Sequence, residues 1–209
     1  MRSRFKSSNF LIDPAGMLSA ARYMPSPNCD DRPENSPIEL LVIHNISLPP
    51  GEFDGGAVEA FFANRLDPTL HPYYEQIRDL QVSAHFFLRR NGELVQLVPC
   101  FKRAWHAGVS RWCGRERCND FSIGIELEGS DLVPFTEAQY IVLTRLTRAL
   151  MAHYPIKDVV GHSDIAPGRK TDPGPHFNWP RYRRSYARIL RAKSIVLGCC
   201  REVGKIAEK

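Results

Sequence analysis

Long apolar runs are missing from this sequence. No segment approaches the roughly 20 apolar residues that a membrane-spanning helix requires. The basic start Met-Arg-Ser-Arg-Phe-Lys imitates the first part of an export signal. No apolar run of about 7–15 residues follows it, so the export reading fails. The expectation is a cytoplasmic protein without membrane contact. A Gly-x-Ser-x-Gly elbow, a Walker glycine loop and a Rossmann glycine pattern are also absent. Those absences argue against the commonest enzymes built on such motifs. There is no internal repeat and no low-complexity segment.

Cysteine is present but poorly placed for a framework. Six occur, at 29, 100, 113, 118, 199 and 200. An even count invites disulfides, but in a chain this long without an export signal free thiols are expected. Cys113 and Cys118 have the spacing of half a structural zinc site, and the other half is missing nearby. The net charge of +5 would suit an acidic partner, but much of it sits near the C-terminus. No nucleic-acid motif accompanies it, so no nucleic-acid partner is expected. With 209 residues, 43% of them hydrophobic, the chain can bury one ordinary core. The expected organisation is a single domain over 1–193 and a basic tail over 194–209.

Residues 1–37 are polar and punctuated by proline. The pattern predicts a short helix over 14–23 and an extended wrap through Pro25, Pro27, Pro33 and Pro37. Residues 38–46 (IELLVIHNI) form the first strong strand, apolar on both faces and rich in β-branched residues. His44 lies at its C-terminal end, as a functional side chain or as a core histidine bonded to backbone. A helix is expected over 56–64, with Val58, Phe61 and Phe62 inward. Residues 66–79 read as a long irregular loop carrying His71, Pro72, Tyr73 and Tyr74, and loops of that length are more often functional.

Asn91-Gly92 marks a hairpin between 82–90 and 93–99. His85 lies within it and reads as structural. Residues 105–108 (Trp-His-Ala-Gly) form an aromatic corner that borders a cleft. The loop 111–120 carries Arg111, Arg115 and Arg117, either solvated or as a clamp for carboxylate or phosphate. In the strand 121–128 (FSIGIELE), alternation puts Ile123, Ile125 and Leu127 on one face and Gly124, Glu126 and Glu128 on the other. Glu128 sits at the strand end, where it can reach water. Glu126 is a carboxylate in mid-strand, costly to bury unless paired or used, and it is the candidate base. A helix follows over 136–153, capped by Thr136, with Ile141, Leu143, Leu146, Leu150 and Met151 as its apolar face. A basic helix is expected from about 181 to 193.

The stretch 161–175 (GHSDIAPGRKTDPGP) ends a short strand at 156–161. Its glycines and prolines forbid a continuous helix and make a stiff loop, which holds side chains at fixed distances. His162 and Asp172 are candidate zinc ligands, and Lys170 is a cation beside them. With His44 they make three ligands, which leaves a fourth tetrahedral position for water, the catalytic form of a zinc site. Zinc polarises a carbonyl and lowers the pKa of bound water to about 7. Glu126 would move the proton and Lys170 would hold a developing oxyanion. Those parts suffice for amide hydrolysis without a covalent intermediate.

Six pieces of the sequence also carry a family resemblance. They are VIHNISLPPGEF at 42–53, HPYY at 71–74, VSAHFFLRRNGELVQ at 82–96, KRAWHAGVS at 102–110, GRERCNDFSIGIELEG at 114–129 and the stretch 161–175. On them, about residues 14–190 resemble the zinc N-acetylmuramoyl-L-alanine amidases, whose fold is shared with peptidoglycan-recognition proteins and phage lysozyme-like amidases. Within that group the sequence looks most like the AmpD-type 1,6-anhydro-N-acetylmuramyl-L-alanine amidases. The resemblance implies an α/β fold with a central mixed sheet flanked by helices. It implies one zinc per chain on His44, His162 and Asp172, with Glu126 and Lys170 catalytic. Asn45, Tyr73 and Trp105 match positions on the sugar side of the cleft. Arg117 matches one that holds the peptide's terminal carboxylate. Gln81 departs from the family's basic residue facing the sugar.

The implied substrate is a small soluble muropeptide, cut between N-acetylmuramic acid and L-alanine. No obligate protein partner is expected. Action on intact peptidoglycan would require export. A non-catalytic muropeptide sensor on the same fold would be expected to lose a ligand, whereas all three ligands, Glu126 and Lys170 are kept here.

Overall fold

The structure is a computed structural model that describes residues 10–197. Its elements in chain order are β1 (Arg22–Tyr23), β2 (Cys29–Asp31), β3 (Leu40–Ile46), α1 (Ala57–Phe62), α2 (Pro72–Ile77), β4 (Phe86–Leu88) and β5 (Leu94–Gln96). There follow β6 (Lys102–Ala104), β7 (Arg111–Trp112), β8 (Arg115–Glu116), β9 (Ser122–Glu128), α3 (Glu137–His153), β10 (Asp158–Gly161), α4 (His162–Ile165) and α5 (Trp179–Leu197). The six-stranded central sheet has the order β1-β5-β4-β9-β3-β10. It is the mixed sheet that was expected. Neighbours run parallel except β4 and β5, which form the antiparallel hairpin. At that turn Gly92 adopts φ +90°, a region open to glycine at no steric cost.

The strand alternation decides which side chains meet. Leu41, Ile43, Ile123, Ile125 and Leu127 point to one face and pack with Leu143, Leu146 and Leu150 of α3. Residues of the opposite phase, His44 on β3 and Glu126 on β9, are direct partners in the register. Both strands are therefore buried through the stretch that delivers these two groups, as an interior parallel strand must be. Helix α3 begins at a capping box: the Gln139 N–H donates to Thr136 Oγ1 (3.2 Å) and the Thr136 N–H donates to Gln139 Oε1 (3.0 Å). Ile141 does not join its apolar face and is 39% exposed. At 100° per residue it lies nearly opposite Leu143, and Tyr140 and Val142 are buried instead.

Other expectations are corrected. Residues 14–23 do not form a helix. The Gly16 N–H donates to the Asp13 carbonyl (2.9 Å) and the Met17 N–H donates to Asp13 Oδ1 (2.8 Å), a local turn that competes with the helical ladder. Gly16 at φ +69° completes the reversal. The stretch 66–79 is not irregular. It holds a 3₁₀ turn at Pro68–Leu70 and helix α2, each starting with proline behind a capping side chain, Asp67 and His71. Glu128 is 1% exposed rather than open to water, and it accepts the Asp54 and Arg90 N–H groups (both 2.9 Å). The basic helix expected over about 181–193 runs from Trp179 to Leu197 as α5, and residues from 198 lie outside those described. Arg32 pins the N-terminal wrap: its guanidinium donates to the carbonyls of Cys100, Asn119, Asp120 and Ser122. No described helix is long and apolar enough to cross a membrane.

Candidate metal centre and active site

Strand β3 presents His44 at its C-terminal end. Strand β10 runs beside it, so that His162, the next residue after Gly161, comes up on the same rim. The loop beyond α4 then turns back. The Ser163 N–H donates to the Asp172 carbonyl (3.0 Å), which closes the loop and brings Asp172 to the two histidines. His44 Nδ1 lies 3.0 Å from His162 Nδ1 and 3.0 Å from Asp172 Oδ2, and His162 Nδ1 lies 3.1 Å from the same oxygen. Among the described residues this is the one group of three such side chains with metal-holding geometry. Cys113 and Cys118 do not form part of any such group.

The donor chemistry fits an ion. Three donors spaced at this distance would suit one cation at ordinary zinc–ligand lengths of about 2.0–2.2 Å. Burial pushes His44 down to about 4, against the pull of Asp172, so its imidazole is neutral near pH 7 and offers a lone pair. Burial raises the Asp172 carboxyl, but hydrogen bonds to His162 and His44 outweigh that and hold it well below the usual carboxylate range. The His162 Nε2 nitrogen faces the Ala107 carbonyl at 3.1 Å. A carbonyl only accepts, so Nε2 carries the proton and Nδ1 is free to ligate.

The three residues form part of the wall of a cavity of about 360 Å³. Glu126 and Lys170 line it too. Glu126 is buried, and its Oε2 has no hydrogen-bond partner. Burial first, and the nearby Asp172 second, push its carboxyl well above the ordinary range, while Lys170 pulls it down. A buried carboxyl with a raised affinity for protons is suited to proton transfer.

The sugar-side candidates divide. Asn45 and Tyr73 line the cavity. Trp105 is not among its lining residues, and its indole bonds the Asp30 carboxylate instead. Arg117 is also absent from this wall. It lies with Arg111 and Arg169 along a separate cavity of about 550 Å³. The Ala107 carbonyl stands between a residue of each wall, meeting His162 Nε2 (3.1 Å) and accepting from Arg169 Nη2 (2.8 Å). Arg117 is largely exposed and pairs with Asp120 (3.2 Å).

Sequence reasoning missed Asp131 and gave His106 only as part of the corner 105–108 bordering a cleft; both line the main cavity. Asp131 accepts from Asn45 Nδ2 (2.8 Å) and so fixes which way that amide faces. It lies on the turn after β9, and nothing in its local sequence points to the site. Gly174 lets the metal loop approach it: a Cβ there would stand 2.3 Å from Asp131 Oδ1, and the backbone already holds φ +79°. Gly174→Ala is therefore expected to destabilise the protein by about 1–3 kcal/mol, from left-handed strain plus displacement of Asp131. Denaturant melts of parent and variant test this, and equal midpoints would show that the loop yields freely.

Two imidazoles and one carboxylate, grouped beside a buried carboxyl and a lysine at the open ends of parallel strands, form a possible metal site on a mixed α/β fold. The chain belongs to the N-acetylmuramoyl-L-alanine amidase family, whose sequence model matches residues 34–175. It is 56% identical over 175 residues to the 1,6-anhydro-N-acetylmuramyl-L-alanine amidase AmpD of Salmonella typhimurium, covering 83% of this chain and 94% of that protein. The corresponding amidase of Haemophilus influenzae is 54% identical over 173 residues, covering 81% and 94%. A crystal structure of a selenomethionine AmpD derivative matches with a TM-score of 0.81 at 56% identity, over 84% of this chain and 98% of that one. The amidase AmiD of Escherichia coli, solved with the substrate anhydro-N-acetylmuramic acid-L-Ala-D-γ-Glu-L-Lys, matches with a TM-score of 0.55 at 32% identity, over 84% of this chain and 65% of that one.

Proposed function

We propose that this chain is a zinc-dependent 1,6-anhydro-N-acetylmuramyl-L-alanine amidase that cuts soluble muropeptides in the cytoplasm during peptidoglycan recycling. The convergence of His44 Nδ1, His162 Nδ1 and Asp172 Oδ2 on one cavity wall, beside Glu126 and Lys170, carries the reading. His44, His162 and Asp172 would hold a zinc ion, which would supply Lewis acidity toward a carbonyl and toward water near pH 7.

The protein's own groups do the rest. Glu126 takes a proton from the attacking water and gives it to the departing amine nitrogen of L-alanine. Lys170 donates to the oxygen that gains negative charge as the carbonyl carbon is attacked. Asn45 and Tyr73 hold the sugar end, with the Asn45 amide oriented by Asp131. Arg117, on the wall of the second cavity, holds a carboxylate of the stem peptide, so the two ends place the scissile amide over the metal donors. The complete set of ligands, base and lysine disfavours a binding-only sensor, which has no use for Glu126.

Mass spectrometry of a defined anhydromuropeptide tests the reading. Incubation should release free peptide beginning at L-alanine plus the anhydro sugar, and a chelator should stop it. Soluble anhydromuropeptides should be cut faster than insoluble sacculi. Cleavage that survives thorough chelation would rule out the zinc reading, and faster digestion of sacculi would overturn the substrate assignment.

A further inference from the structure

The segment at His106 and Ala107 lies behind the metal donors, and the catalytic steps above do not use it. His106 Nδ1 is 2.9 Å from His44 Nε2, the ring nitrogen of His44 that faces away from Asp172. His106 Nε2 is 3.1 Å from Ser122 Oγ. The ring is 7% exposed and lies flat on β9 above Gly124, where a Cβ would come within 2.4 Å of His106 Cγ. Any other residue at 124 would push the ring off the strand. The backbone is held as deliberately: Asn119 Oδ1 accepts the N–H of His106 (3.1 Å) and of Ala107 (2.8 Å). The carbonyl of Ala107 meets His162 Nε2. One anchored dipeptide thus touches the rear nitrogen of both histidines.

We infer that His106, held by Asn119 and seated on Gly124, is a positioning residue that sets the tautomer of His44 for metal binding. This rests on the metal reading above. For Nδ1 of His44 to offer its lone pair, Nε2 must carry the proton, and a buried N–H needs an acceptor. His106 Nδ1 is that acceptor. His106 must then carry its own proton on Nε2, where Ser122 Oγ accepts it. Without His106 the buried N–H of His44 is orphaned. The ring then favours the other tautomer, whose Nδ1–H donates to Asp172 Oδ2 and blocks the ligand position. The Ala107 carbonyl fixes His162 in the same sense. Outer partners of this kind change metal affinity by roughly 10–100-fold.

The test measures zinc affinity by competition with a chelator in the parent, His106→Leu and His106→Asn. Leucine fills the site without a ring nitrogen, and asparagine places an acceptor near the position of Nδ1. The leucine variant should bind zinc about 10–100-fold more weakly, and the asparagine variant should recover much of that loss. In the zinc-loaded parent, nitrogen-resolved NMR should show a protonated, slowly exchanging His44 Nε2. A leucine variant that binds zinc within about twofold of the parent overturns the inference, as does an unprotonated His44 Nε2 in the parent. A parent that binds no zinc at all sinks the metal reading itself, so the two failures are told apart.

Discussion

Asp172→Ala is expected to abolish zinc binding at working concentrations and, with it, amide hydrolysis, while the protein still unfolds cooperatively. The expected loss of affinity exceeds the roughly 10–100-fold that removal of an outer partner costs, because a charged ligand is removed. It leaves two imidazoles 3.0 Å apart with no anion between them. The fold should persist because Asp172 sits on a loop and the sheet core does not include it. Some stability is lost in the metal-free protein, and its sign with pH is specific. The carboxyl of Asp172 is held below its unfolded value of about 3.9, so its contribution is present above that pH and fades as pH falls further. Parent and variant should therefore differ in metal-free stability near neutral pH and converge in strong acid. Metal analysis and melts across pH make the measurement. One tightly bound zinc per chain in the alanine variant would remove Asp172 from the ligand set.

Glu126→Gln should keep zinc, keep substrate affinity and lose about 10²–10⁴-fold in kcat, the usual worth of a general base. Glutamine has nearly the same shape but cannot take a proton. The stability change should run the other way. Burial raises the Glu126 carboxyl well above its unfolded value, so in the metal-free protein folding is penalised as pH climbs past about 4.3. Below that pH both states are protonated and the penalty vanishes. The glutamine variant has no such penalty, so it should equal the parent in acid and match or exceed it near pH 7. A variant that is slower but less stable at neutral pH would mark Glu126 as structural. Turnover near the parent rate would exclude it from proton transfer.

Much of this site was legible in one dimension because its residues break local rules. Glu126 stands out as a carboxylate inside an apolar strand, and His44 as an imidazole closing another. The proline and glycine content of 161–175 announces a rigid loop with two ligand types on it. Strand periods also transfer directly, since alternation is a property of the extended chain and needs no partner. The N-terminal turn and the stretch 66–79 were misread for a local reason. Caps and Asx turns are single hydrogen bonds, and an apolar count over a window does not register them.

The sequence by itself determined the strands, the main helices and the residue types that can hold a metal, because those follow from side-chain chemistry and backbone preference. Only the tertiary structure decided which of them meet. The register of β3 with β9 sets His44 opposite Glu126, and the return of the loop to Ser163 sets Asp172 against both histidines. It also turned Glu128 inward, placed Arg117 in a neighbouring cavity, and brought His106 behind His44 across 62 residues of chain. The physical reason is the same in each case. A hydrogen bond or a ligand set constrains distance in space, and distance in space between remote segments is fixed by sheet pairing and packing, which no local pattern encodes.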